Sequence, residues 1–216
     1  MSRRRFRRAQ CGQSLIEFIV TVVVLGPLLL GILQAILLYR AKTVLDYAAL
    51  QAARKGATNF AQPSAMCQGL ASGLMPLYAH DADSGGVLKA YGLADADACL
   101  GKAATITIVS PTQAAYDDWK EQQFDGAYAI PNDSLAFRGN AVGARSGMTV
   151  QDANVLKIKV IYRYPLIVPV IDWMIGTIDP TRSAVDGHTV YSLKLSAQAI
   201  VRMQTPIRDR SLLAGG

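Results

Sequence analysis

Gly12 and Glu17, in Gly12-Gln13-Ser14-Leu15-Ile16-Glu17, form the spacing in this chain that carries the most chemistry. Glycine lets another backbone approach closely. A carboxylate at the top of an apolar helix is expensive in or near a bilayer unless it is paired. The same residues also fit a capping box, in which Ser14 caps a helix and Glu17 bonds back to it. Glu17 would then sit in the first turn, where the helix dipole favours negative charge. Capping accounts for Glu17 alone. It leaves unexplained the glycine, the arginine-rich stretch before it and the long apolar run after it.

Other chemistry-bearing groups are sparse. There is no glycine-rich phosphate loop, no Gly-x-Ser-x-Gly elbow and no His-Glu-x-x-His pattern. Ser183, Asp186 and His188 are close in sequence, which does not make a triad. Asp81, Asp83, Asp95 and Asp97 with Gly85 and Gly86 miss the spacing of a calcium loop, so they read as solvated loop acids. Two histidines and distant cysteines give no metal cluster. The chain is therefore expected to be no enzyme, to hold no metal and to need no cofactor.

The elements that carry these residues follow from composition. The 216 residues are 51% hydrophobic and 18% charged, which excludes a disordered chain. Leu15 to Tyr39 is an apolar run whose ionisable side chains are Glu17 and Tyr39 alone. As a helix it spans roughly 38 Å, enough for a hydrocarbon core near 30 Å. It is too long for the apolar part of a secretory signal, so it reads as a membrane anchor. Arg3, Arg4, Arg5, Arg7 and Arg8 precede it, which keeps that end cytoplasmic and exports the rest. They also account for most of the net charge of +6, because setting five of the 22 basic residues aside leaves 17 against 16 acids. No basic patch remains for nucleic acid. Gly26-Pro27 should kink or loosen the helix.

The arrangement of a short basic leader, Gly12, Glu17 and an apolar helix resembles the processing site of type IV prepilins and pseudopilins. Leu15-x-Glu17-Phe18, Pro27-Leu28-Leu29-Leu30, Tyr39, Leu45 and Ala48-Ala49 through Ala57 further resemble the amino-terminal module of TadE-like proteins, pseudopilins of the tight-adherence (Flp, type IVc) pilus. Val160-x-Tyr162-x-Tyr164-Pro165, Pro169 and the strand through Met203 are similar to the same family, and residues 61–152 resemble nothing familiar. Glu17-Phe18 departs from the Glu-Tyr of major Flp pilins, and the greater length favours a minor component. The resemblance implies cleavage after Gly12 by a prepilin peptidase, Gln13 as new amino terminus, and pairing of its ammonium group with Glu17 during assembly. It also implies the bacterial inner membrane, other pilins and the Tad secretion machinery as partners. A rival reading is a single-pass anchored binding protein that is never processed, and a second is an anchored enzyme with an unrecognised site.

Cys11 would leave with the leader, and Cys67 and Cys99 would remain in a compartment that permits disulfides. They are either joined or two free buried thiols. The expected organisation is a leader at 1–12, a transmembrane helix at 13–39, its extension at 40–60, a variable loop-rich region at 61–152, an antiparallel β region at 153–206 and a tail at 207–216. In the extension, Ala41, Val44, Leu45, Ala48, Ala52 and Gly56 form a stripe of small residues that packs either on the chain's own domain or on another subunit, and Gly56 should end the helix. Thr105–Val109 reads as a strand and Thr112–Phe124 as a short helix. Alternation over 156–164 and 191–203 gives two longer strands. The apolar link Pro165–Thr177, with Trp173, either covers the sheet or rests on a membrane surface. The fold class is α+β: a long helix packed with an antiparallel sheet of three to four strands.

Overall fold

Apolar residues and then alanines fill a stretch long enough for a single helix, and the computed structural model forms one. It describes residues 13–81, 83–169, 171, 174, 182–185 and 188–215. Helix α1 covers Gln13–Thr58 and runs without interruption through Pro27. The chain divides into two compact units, Met1–Leu38 with Pro165–Ser192, and Tyr39–Tyr164 with Leu193–Gly216.

The second unit holds the end of α1, helices α2 (Pro63–Leu74) and α3 (Ser84–Cys99), and strand β1 (Ala104–Ser110). Helix α4 (Gln113–Trp119), the two-residue strands β2 (Glu121–Gln122) and β3 (Tyr128–Ala129), and helix α5 (Val150–Ala153) follow. Strand β4 is Val155–Pro165, β5 is Arg182–Val185 and β6 is His188–Arg202. Sheet order is β1-β4-β6-β5, and β1 pairs antiparallel with β4 from Ala104↔Tyr162 to Ile108↔Ile158. The expected alternation holds: Leu156, Ile158, Val160, Tyr162 and Tyr164 are buried, with half-covered residues between them. In β6, Ala197 and Ala199 are buried and Ile200 is exposed, and Met203 just after the strand is buried.

The small-residue stripe of α1 is buried within its own domain. Ala41, Leu45, Ala48, Ala49, Ala52, Ala53 and Ala57 are all covered. A Cβ on Gly73 of α2 would come within 2.4 Å of the Ala48 Cα, and one on Gly69 within 2.7 Å of the Gln51 carbonyl oxygen. Backbone thus meets backbone, which only glycine permits here. Gly56 corrects its expected role. It lies inside α1, and a Cβ there would strike the Met66 side chain at 2.7 Å. The helix stops two residues later, where Phe60 and Ala61 take the left-handed conformation. One of its closing carbonyls is satisfied by the chain leaving β6: Gln204 and Thr205 donate their N–H groups to the Ala57 oxygen at 2.9 and 3.1 Å. Packing, not glycine's conformational freedom, put glycine at 56.

Residues 61–152, expected to be rich in loops, contain α2, α3, β1, α4 and α5. Small side chains hid the helices because alanine and glycine give little hydrophobic periodicity. Asp83 and Thr112 cap α3 and α4, accepting from the N–H groups of Gly86 and Ala115. Helix α4 ends at Trp119, earlier than expected, and the chain turns into β2. Asn154, fully buried, donates to the carbonyls of Pro131 and Val150 at 2.8 and 2.9 Å. Its own carbonyl accepts from Met203, so the turn before β4 is tied to the end of β6.

In the first unit, α1 is exposed on all sides from Ser14 to Leu25. A half-covered stripe then begins at Gly26, Pro27, Leu30 and Gly31 and reaches full burial at Gln34. Leu166, Val168 and Ile171 are buried, whereas Ile167 and Met174 are exposed. The apolar link therefore has a covered side and an open side; Trp173 lies outside the described residues. Strand β5, which the hydropathy pattern did not reveal, pairs with the start of β6 from Arg182↔Tyr191 to Val185↔His188. Asp186-Gly187 between them is a dipeptide favoured in two-residue hairpin turns and was the available signal.

Two glycine substitutions should move stability in opposite directions. Gly73→Ala drives a methyl group into α1 and should cost about 1–3 kcal/mol or more. Gly92→Ala on α3, where nothing lies within 4 Å, should gain about 0.5–1 kcal/mol. Denaturant midpoints of the two variants check both signs.

Candidate functional site

The amino-terminal junction is built on the first turns of α1. Gln13 opens the described part of the helix, and Ser14 and Glu17 lie inside it. In register, Gln13 and Glu17 stand four residues apart and share a helix face. Side chains lean toward the amino terminus of a helix, so Glu17 leans toward the Gln13 backbone. The Thr21 hydroxyl donates to the Glu17 carbonyl oxygen at 2.7 Å. Leu15, Ile16, Phe18, Ile19 and Val20 are each more than half exposed. Helix surfaces of this kind, apolar on every side, belong in lipid or among other helices. Gly12 and the arginines before it lie outside the described residues.

The apolar part of α1 has a mean hydropathy of 2.5 over its best window, with none of that window buried. It is a single-pass membrane anchor by length and composition.

A second feature sits in the second unit. Cys67 of α2 and Cys99 at the end of α3 form a disulfide with Cα atoms 5.1 Å apart. Helices α2 and α3 pack side by side, which brings together two cysteines 32 residues apart in sequence. The bond forms one wall of a cavity of about 620 Å³ lined also by Pro63, Ile106, Ile108 and Leu213. Apart from the bonded cysteines, its lining has no titratable side chain. Its polar side chains are the hydroxyls of Ser64, Thr105 and Thr107.

The most perturbed titratable groups in this unit are two phenols. Tyr78 donates its hydroxyl to an Asp97 oxygen, and the Tyr78 and Tyr162 hydroxyls are 2.7 Å apart. Burial pushes both phenols up, Tyr162 to about 12 and Tyr78 further. The cluster fastens the turn after α2, helix α3 and strand β4 together. It uses Asp97, and Asp83 caps α3, so two of the four aspartates weighed for calcium are engaged in separate tasks. Among the described residues no three His, Cys, Asp or Glu side chains gather as metal ligands. Asp186 lies outside the described residues, as do the side chains of Ser183 and His188.

Comparison with known proteins adds one finding. Residues 12–54 match the model of the TadE-like protein family. The match begins at Gly12, includes Gln13 and Glu17, and ends in the alanine-rich part of α1. It does not extend to 153–206, where similarity to that family was also expected. No curated protein and no solved structure matches the chain.

Two measurements test this chemistry. Reduction should make the chain heavier by two hydrogens, and replacing Cys67 and Cys99 together by Ser should cost about 3–4 kcal/mol on the chain-entropy model. The phenols hold their protons more tightly folded than unfolded. Their contribution is therefore intact below about pH 10, the ordinary tyrosine value, and is lost as pH rises toward 12. Urea midpoints should fall across that window, and less steeply in Tyr162→Phe.

Proposed function

We propose that the likeness of residues 12–54 to TadE-like proteins reflects a shared role, and that this chain is a minor pilin or pseudopilin in biogenesis of a Flp (type IVc) pilus. The observation that carries the reading is the continuity of the matched segment: Gly12, Gln13 and Glu17 lead without a break into a helix whose apolar side chains are exposed on all sides.

The chain enters the inner membrane with its arginines in the cytoplasm and its second unit exported. A prepilin peptidase hydrolyses the Gly12–Gln13 peptide bond, leaving a carboxylate on Gly12 and a protonated amine on Gln13. That amine lies one turn from Glu17. Each charge offsets the desolvation of the other at the edge of the hydrocarbon. Pairing within one chain neutralises the helix end, and pairing between chains sets the register of neighbouring subunits. The exposed apolar side chains of the first turns then exchange lipid for the helices of other pilins. In this reading the chain performs no catalysis; it is the peptidase's substrate and a partner of the pilus machinery.

Amino-terminal sequencing of the protein from its native host should begin at Gln13. A chain that keeps residues 1–12 while the peptidase is active would be an anchored, unprocessed protein, and the reading would be lost. Glu17→Ala should leave membrane insertion unchanged and lower recovery of pili at least several-fold; unaltered piliation would remove Glu17 from assembly.

A further inference from the structure

We infer that the described residues of the segment following β4, 166–169 with Ile171 and Met174, form a second membrane contact that enters the outer-leaflet interface beside α1. The inference rests on α1 being the membrane anchor. It concerns the first unit alone and is independent of processing after Gly12.

The depth of the segment is set by one hydrogen bond. The Val168 N–H donates to the Gln34 side-chain oxygen at 3.1 Å, and Gln34 is only 1% exposed. Gln34 precedes Tyr39 and Arg40, where the apolar run ends, by about five residues, or roughly 8 Å of helix. Leu33 and Ile36, on either side of Gln34, are about half exposed, so the helix at this level still presents a lipid-type surface. Ile171 approaches the same stretch, with its Cδ1 3.9 Å from where a Cβ on Gly31 would stand. A segment held at Gln34 shares the depth of Gln34.

Non-helical backbone survives at that depth only if its polar groups are satisfied by protein. Here Pro165 and Pro169 carry no N–H at all. Leu166 donates to the Tyr191 carbonyl at 2.9 Å, and Val168 donates to Gln34. Four of the five backbone nitrogens from 165 to 169 therefore need no water. On the open side, Ile167 is 65% exposed and Met174 47%, in a stretch whose single charged residue is Asp172. That one acid limits the placement to the headgroup boundary and rules out the hydrocarbon centre. Exposed apolar side chains beside an apolar helix, on a backbone largely relieved of its donors, fit a lipid surface.

The test uses the full chain, with Cys11→Ser and the Cys67–Cys99 bond intact, in vesicles of phosphatidylethanolamine and phosphatidylglycerol. An environment-sensitive fluorophore is placed in turn at Ile167→Cys, Met174→Cys, Leu29→Cys in the anchor and Val142→Cys on the second unit. The expected result is blue-shifted emission at 167 and 174 that doxyl-labelled lipid quenches, as at 29, with solvent-like, unquenched emission at 142. Emission at 167 and 174 resembling that at 142, with 29 quenched, would overturn the inference and leave the anchor standing. Blue-shifted emission without lipid quenching would also overturn it, since protein then covers the segment. An unquenched probe at 29 would defeat the anchor itself.

Discussion

Packing in the second unit depends on how closely α1 lets its neighbours approach. Its buried face is alanine at positions 41, 48, 49, 52, 53 and 57, broken by Leu45 and Gly56. Side chains this small gain little from burial individually, about 0.8 kcal/mol per buried CH₂. Their value is geometric. They bring the α1 backbone to within touching distance of Gly69 and Gly73 in α2, so larger side chains such as Met66, Leu70 and Leu156 fill the remaining space. The Cys67–Cys99 bond then holds α3 to α2, and the Tyr78–Asp97–Tyr162 cluster holds both to the sheet.

The same helix faces a different solvent at its start. From Ser14 to Leu25 its side chains are exposed on all sides, which suits lipid and is intolerable in water. A single carboxylate placed there must be compensated, and a protonated amine one turn away is the simplest compensation a polypeptide can make for itself. In the proposed reading, a cut before Gln13 supplies that amine one turn from Glu17. The described groups of the second unit have other settings. Its cavity beside the disulfide is lined without titratable groups, and its perturbed phenols are locked in structural hydrogen bonds.

Polar residues inside apolar surroundings mark the places where distant parts of the chain meet. The main-chain carbonyl of Asn154 ties the turn before β4 to the exit of β6, while its side chain donates to the Pro131 and Val150 carbonyls. In the first unit the Gln34 side chain accepts from Val168. In both, a buried side-chain amide bonds to backbone. Buried amides of this kind are costly when unmade, so they select one arrangement among the many that would bury the same leucines and valines.

Sequence alone determined whatever repeats along the chain with a fixed period or stands out by composition. The apolar run of α1, the inward alternation of β4 and β6, the short β1 and the Gly12–Glu17 spacing were all legible, because each is a local pattern of one physical property. Tertiary structure alone decided the rest. Gly56 looked like a helix stop and proved to be a contact point, since the Met66 and Leu156 that crowd it lie ten and a hundred residues away. Helices α2 and α3 were obscured by alanine and glycine, whose hydrophobic signal is weak until a neighbour covers them. Strand β5, the Cys67–Cys99 juxtaposition and the reach of Val168 to Gln34 arise only when the folded backbone brings remote residues within a few ångströms. Periodicity is written into consecutive residues; proximity across the fold is not.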